Sequence, residues 1–170
     1  ITVIQQDMMY VFMGLAASGA IAAFLALNLM QRNTLVNKRL ILAGFRTQEL
    51  VVAKLSITLL LISLVGIFIG LIGLMLFDTK HFAEMTVGYI LCGFVYGSYG
   101  LLIGSFLKRE LEGILLIVLL ANVDVAWLQN PIYYAASQNK MIIEWLPAFY
   151  PSQVSMTSAF TDYPIGSITA

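Results

Sequence analysis

One carboxylate in this chain stands where a carboxylate is costly. Asp124 lies in "GILLIVLLANVDVAWLQ", residues 113–129, two positions after Asn122. An ionisable group inside a membrane-type apolar run faces a cavity or a partner. Two readings follow for Asp124. It faces a functional cavity or partner, or it is hydrated near the outer surface or hydrogen-bonds a neighbouring helix. Asn122, two residues away on a helix, points to a different face. Other groups with chemical potential are few. His81, the only histidine, sits beside Asp78 and Glu84 in "DTKHFAE". A single imidazole in a solvated loop reads as solvated, and no metal is expected. Glu110 and Glu112 flank Lys108 and Arg109 at a helix start, where acidic groups suit the macrodipole. Cys92 is the sole cysteine and forms no intrachain disulfide. The apolar runs lack the paired His, Glu or Asp of an intramembrane enzyme, and no G-x-x-x-x-G-K-[ST] phosphate loop occurs. The chain is therefore expected to be non-catalytic, with no cofactor of its own.

The elements that position these groups follow from composition. The chain has 170 residues, 60% hydrophobic and 11% charged, with zero formal net charge. An ordinary soluble domain is about 45–50% apolar and about 25% charged. The balance points to lipid as the solvent, and the neutral charge gives no sign of a nucleic-acid partner. Charges punctuate the sequence: none lies between Asp7 and Arg32, between Lys54 and Asp78, or between Glu84 and Lys108. Helices of such length reach about 35 Å, enough to cross a hydrocarbon core of about 30 Å. The runs lack the alternation of barrel strands. The expected fold is an all-α, polytopic integral membrane helical bundle, one domain over 1–170. Its spans are about 8–30, 55–77, 85–107 and 113–129, the last shorter. All four prolines, Pro131, Pro147, Pro151 and Pro164, follow the fourth run. The aromatic tail, with Trp145, Phe149 and Tyr150, reads as broken helix or loop at the membrane–water interface. The first residue is Ile and no basic region precedes the first apolar run. No secretory signal is read, and the chain is expected to be a piece of a longer protein.

Orientation follows from Lys and Arg. Arg32, Lys38, Arg39, Arg46, Lys54, Lys108 and Arg109 fall on one side, and only Lys80 and Lys140 on the other. The 31–54 loop and the 108–112 linker are expected in the cytoplasm, and the 78–84 loop and the tail outside. Small residues recur at helical spacing: Gly14, Ser18 and Ala22, then Gly66, Gly70 and Gly73, then Gly93, Gly97, Gly100 and Gly104. Each set reads as a close helix contact, with a moving seam as the alternative.

The basic stretch "NKRLILAGFRTQEL", residues 37–50, predicts a short helix after a Thr34 cap, a stop at Gly44 and a second helix start near Thr47. It either presses on a soluble partner or lies on anionic lipid with its basic side chains snorkelling. "RNTLVNKRLILAGFRTQELVVAKL", "GLLIGSFLKRELEGILL" and "EWLPAFYPSQ" together resemble the membrane subunit of ATP-binding-cassette transporters of the type-2 exporter class. They match its first cytoplasmic loop, its fourth helix with tight turn and fifth helix, and its outer re-entrant segment. The resemblance spans nearly the whole chain through soft patterns. Arg32 and Asn33 replace the acidic residue and glycine usual before Thr-Leu, and Gly44-Phe45 replaces a proline common at the bend.

The resemblance implies a six-helix subunit whose first and last helices lie outside this chain, with a bacterial cell membrane as the expected location. It implies that 31–54 is a coupling loop seated on a separate nucleotide-binding ATPase subunit, which carries ATP and magnesium. Lys38, Arg39, Phe45, Arg46 and Glu49 are the contact candidates. It implies pairing with a second permease subunit, Asn122 and Asp124 on the translocation path, and a re-entrant segment over 130–151. The expected activity is export of a hydrophobic or amphipathic compound: a drug, lipid, peptide or lipid-linked sugar. The alternatives are a non-transporting membrane protein, such as an assembly factor or membrane enzyme, and an ion-coupled secondary transporter. The last predicts inverted repeats and helices broken at mid-membrane.

Overall fold

A computed structural model describes residues 5–32, 39–44, 46–76, 79–107, 109–129 and 140–160. Among these residues the fold is helical and contains no strand. The helices are α1 (Gln5–Arg32), α2 (Thr47–Leu76), α3 (Phe82–Phe106), α4 (Glu110–Ala121), α5 (Lys140–Glu144) and α6 (Phe149–Phe160). A π-helical segment, Asn122–Leu128, continues α4. Three helices are long and apolar enough to cross a membrane: α1, α2 and α3. The fourth apolar run is helical, but the α-helix that enters it, Glu110–Ala121, gives way to the π-helical segment Asn122–Leu128. The span expected over 113–129 is not among the three helices long and apolar enough to cross a membrane.

Helix α2 starts eight residues before the expected 55 because a cap, not the first apolar residue, sets its boundary. The Arg46 N–H donates to Glu49 Oε2 at 3.3 Å, the carboxylate half of a capping box. Immediately before it, Gly44 adopts φ +96°, a left-handed conformation that ends the helical turns over 39–42. The predicted stop at Gly44 and start at Thr47 are both present. Thr34 lies outside the described residues.

Helix α3 is the hub, packing on α1 above all and also on α2 and α6. Glycines permit this closeness. A Cβ at Gly100 would lie 2.8 Å from the Ala23 Cα and carbonyl carbon of α1. Gly66 meets the Ile90 backbone, and Gly93 and Gly97 receive Ile62. The stripes read from the sequence are thus close helix contacts. The interior of the bundle holds Leu15, Leu27, Met85, Tyr89 and Tyr96. Outward, α2 exposes Leu60, Leu64, Phe68, Leu71 and Met75. A water-soluble fold would bury such a stripe, and lipid solvates it.

The two ends of the bundle are tied differently. Gln31 Nε2 donates to the Leu107 carbonyl at 2.9 Å, joining the end of α1 to the turn after α3. At the opposite end the His81 and Lys80 N–H groups donate to the carbonyls of Ser158 and Ala159 in α6, at 3.0 and 3.3 Å. The tail is more ordered than a loop. Pro151 sits in the first turn of α6, where a missing N–H costs nothing. Ser152, Ser155 and Ser158 turn one small face inward. Trp145 and Tyr150 are exposed and Phe149 is half-buried. Of the expected 130–151 re-entrant segment, residues 130–139 lie outside the described residues.

Candidate functional site

Asp124 sits on the π segment and is 5% exposed. Its position follows from local hydrogen bonding. The Asn122 side chain donates to the Val118 carbonyl at 2.8 Å, which adds a second kind of donor to that turn of helix. Beyond it the ladder lengthens, and the Gln129 N–H donates to the Asp124 carbonyl at 3.2 Å, an i to i+5 bond. That spacing stacks residue 129 over residue 124, and such π turns often occur at functional sites. Asp124, Val125 and Gln129 consequently share the inward side.

Three donors converge on the Asp124 carboxylate. The Tyr96 hydroxyl of α3 donates to Oδ2 at 2.6 Å. Gln129 Nε2 donates to Oδ1 at 3.2 Å, and the Ala148 N–H reaches Oδ2 at 3.4 Å. Gln129 Oε1 lies 3.4 Å from Ser152 Oγ. The Ser152 hydroxyl is nearer the Phe149 carbonyl, at 2.7 Å, and its one proton goes there. A buried polar group without partners would cost about 1–3 kcal/mol, so these bonds are what makes Asp124 tolerable in the interior. They also join α3, the π segment and the start of α6 at one point. With three of about four lone-pair positions occupied, the carboxylate acts as a tie between elements.

A second polar seam lies on the α1 side. Ser18 Oγ and Cys92 Sγ both donate to the Leu15 carbonyl, at 2.8 and 3.4 Å. The Tyr96 ring lies against Gly19, where a Cβ would come within 2.8 Å of it. The glycine lets the ring pass α1 and reach Asp124. Ser155 Oγ is fully buried over Gly88 and has no hydrogen-bond partner among the described residues.

The predicted site residues fall into separate places. Asn122 is exposed while Asp124 is buried, so the two do not converge. Asp124 faces the interior of its own bundle, and the neighbour-helix hydrogen bond among the sequence alternatives is the arrangement present. Arg39, Arg46 and Glu49 are exposed together at the Gly44 bend. Lys38 and Phe45 lie outside the described residues. His81 caps α3 through its backbone, and Glu84 Oε2 lies 3.4 Å from Ser158 Oγ, whose one proton goes to the nearer Val154 carbonyl at 2.7 Å. Asp78 lies outside the described residues. No group of three His, Cys, Asp or Glu is placed to hold a metal ion among the described residues. Sequence reasoning missed Tyr96, Gln129 and Ser152. Tyr96 adjoins Gly97 in the glycine stripe and reads there as packing. No family model, curated protein or solved structure matches the chain.

Proposed function

We propose that this chain is the membrane-spanning part of a permease subunit in an ATP-driven exporter of the type-2 ATP-binding-cassette class. It moves a hydrophobic or amphipathic compound with energy from a separate nucleotide-binding subunit. The observation that carries the reading is the elbow between α1 and α2. Its turns over 39–42 stop at Gly44. Helix α2 restarts on the Arg46–Glu49 cap, and Arg39, Arg46 and Glu49 all point away from the bundle. An elbow that holds charged side chains clear of the helices suits a soluble partner's cleft. With 31–54 and 108–112 cytoplasmic, 78–84 and the tail lie outside, and the 110–128 helix serves as a fourth span.

A second permease subunit fits the outer face of α4. Leu111, Leu115 and Leu119, each four residues from the next, are 79%, 68% and 55% exposed, and exposed Asn122 follows in the next turn. Asn122 lies about 18 Å along the helix axis from Glu110, deep in a core of about 30 Å. An amide at that depth is better placed against another protein helix than against lipid.

The test is the Phe45→Ala/Arg46→Ala double variant, co-expressed with the candidate ATPase chain. Loss of co-purification, or ATP hydrolysis that no longer responds to transported compounds, supports the coupling role. Normal association and normal coupling would reassign the elbow to the lipid surface.

A further inference from the structure

We infer that the groove at the basic end of the three long helices binds one anionic phospholipid, its acyl chain among the helices and its phosphate on Lys54. The groove has a volume of about 440 Å³, within the range of about 300–1,000 Å³ typical of small-molecule sites. Its walls come from the last turn of α1 (Met30), the first turns of α2 (Leu50, Val51, Leu55) and the last turns of α3 (Leu101, Leu102). Ile41 of the elbow closes one side. Every wall except Ile41 is the terminal part of a helix that is long and apolar enough to cross a membrane, so the groove opens at the height where headgroups meet acyl chains.

Charge selects the occupant. Among the described residues Lys54 is the only charged one lining the groove, and it is half-buried. It lies about 10 Å along α2 from Thr47, deep enough that its stem follows the apolar wall while the ammonium reaches for the surface. No carboxylate lines the groove among the described residues. Glu49, the nearest acid on α2, is five residues away on another face and is bonded to the Arg46 N–H. Among the described residues of the adjoining elbow and first turns of α2, 39–44 and 46–54, the charged side chains are Arg39, Arg46 and Lys54 against Glu49, so this stretch of chain carries two net positive charges. A cation at the lip of an apolar groove, at headgroup height, matches a molecule with a phosphate at one end and a hydrocarbon chain at the other. An anionic lipid is favoured over a zwitterionic one because the zwitterion's ammonium would meet the same positive rim. The inference rests on the membrane reading alone and holds whether or not the protein is a transporter.

The experiment uses the full chain with Trp127→Phe and Trp145→Phe, plus a single reporter, Leu102→Trp, on the groove wall. It is reconstituted in vesicles of brominated phosphatidylglycerol or brominated phosphatidylcholine mixed with unbrominated lipid. Contact quenching then gives the relative affinity of the two headgroups. Phosphatidylglycerol should be preferred, and Lys54→Gln should lower that preference about fivefold, as expected for one basic residue's attraction to anionic lipid. Lys54→Arg, which keeps the charge, should retain it, and a Val51→Trp reporter on the α2 wall should repeat the pattern. Equal quenching by both lipids, or a preference that survives Lys54→Gln, would overturn the inference. A reporter that neither lipid quenches would overturn it too, since protein, such as a second copy of the chain, would then cover the groove.

Discussion

Replacing Tyr96 by Phe removes one oxygen from a fully buried ring, and the structure gives that oxygen a single task. It donates to Asp124 Oδ2 at 2.6 Å, against 3.2 and 3.4 Å for the donors from Gln129 and Ala148. The ring keeps its packing on Gly19, so the change isolates the bond. A hydrogen bond to a charged group in a water-soluble protein contributes about 1.5–3 kcal/mol. Interhelical side-chain bonds in membrane proteins average about 0.6 and reach about 1.7 kcal/mol, because the unfolded chain in lipid finds other partners. Tyr96→Phe removes the shortest of three bonds to a buried carboxylate, so its cost belongs near the upper membrane value, about 1.5 kcal/mol.

Asp124→Leu should cost more. It strands the Tyr96 hydroxyl, the Gln129 amide and the Ala148 N–H in the interior, at about 1–3 kcal/mol for each that finds no new partner. In that background Tyr96→Phe deletes the stranded hydroxyl, so it should cost nothing and recover the roughly 1–3 kcal/mol penalty wherever that hydroxyl has found no new partner. The double-mutant cycle should therefore give a coupling of at least about 1.5 kcal/mol, well above the roughly 0.5 kcal/mol within which independent sites add. Reversible unfolding by SDS in bicelles, followed through Trp127 and Trp145 fluorescence, measures all four corners. Additive losses, or a Tyr96→Phe variant as stable as the parent, would refute the claim that this bond ties the π segment to α3.

Other perturbations probe other parts of the fold. Gly100→Leu should abolish the folded bundle, because its Cβ would fall on the Ala23 backbone, which cannot step aside as a side chain can; loss of monodisperse protein in detergent reads this out. In a Cys92→Ala background, Arg46→Cys and Lys80→Cys should react with impermeant maleimide from opposite sides of the membrane, Lys80→Cys from outside; labelling of Lys80→Cys only from the cytoplasm would reverse the proposed orientation. Leu115→Cys in the same background should form a disulfide-linked dimer on mild oxidation, whereas Cys at Leu64, on the outward face of α2, should not.

The three long helices were legible because each is an apolar run long enough to cross a membrane, bounded by charges. Counting the uncharged intervals after Asp7, Lys54 and Glu84 locates each of them. The same counting misplaces the start of α2, because an apolar count cannot pass Lys54, whereas the capping bond between Arg46 and Glu49 begins the helix eight residues earlier. Helix stops are legible where backbone chemistry marks them, as at Gly44. The π segment left no such mark. Asn122 and Asp124 announce polarity in an apolar run, but hydrophobicity is silent about an i to i+5 ladder, and that ladder brings Gln129 over Asp124. Tyr96 was hidden for a different reason. Its partner is 28 residues away, and the glycine that admits its ring belongs to a third helix.

The separation of Asn122 from Asp124 changes where a transport route can run in the proposed permease. A substrate that used Asp124 would have to displace donors from Tyr96, Gln129 and Ala148 and part α3 from the π segment. That opening would leave several buried polar groups unpaired at about 1–3 kcal/mol each. Asn122 carries no such cost, because its amide already bonds its own turn at Val118 and its outer edge is free at the protein surface. A route along the Leu111–Leu115–Leu119–Asn122 face would run between two subunits and leave each bundle closed. On that reading Asp124 acts from behind the face: by fixing α4 and the π segment to α3, it keeps Asn122 turned outward. Asp124→Leu should then weaken the bundle and loosen substrate selection together, while Asn122→Leu, which gives up only its own bond to Val118, should alter selection with a smaller loss of monomer stability than Asp124→Leu.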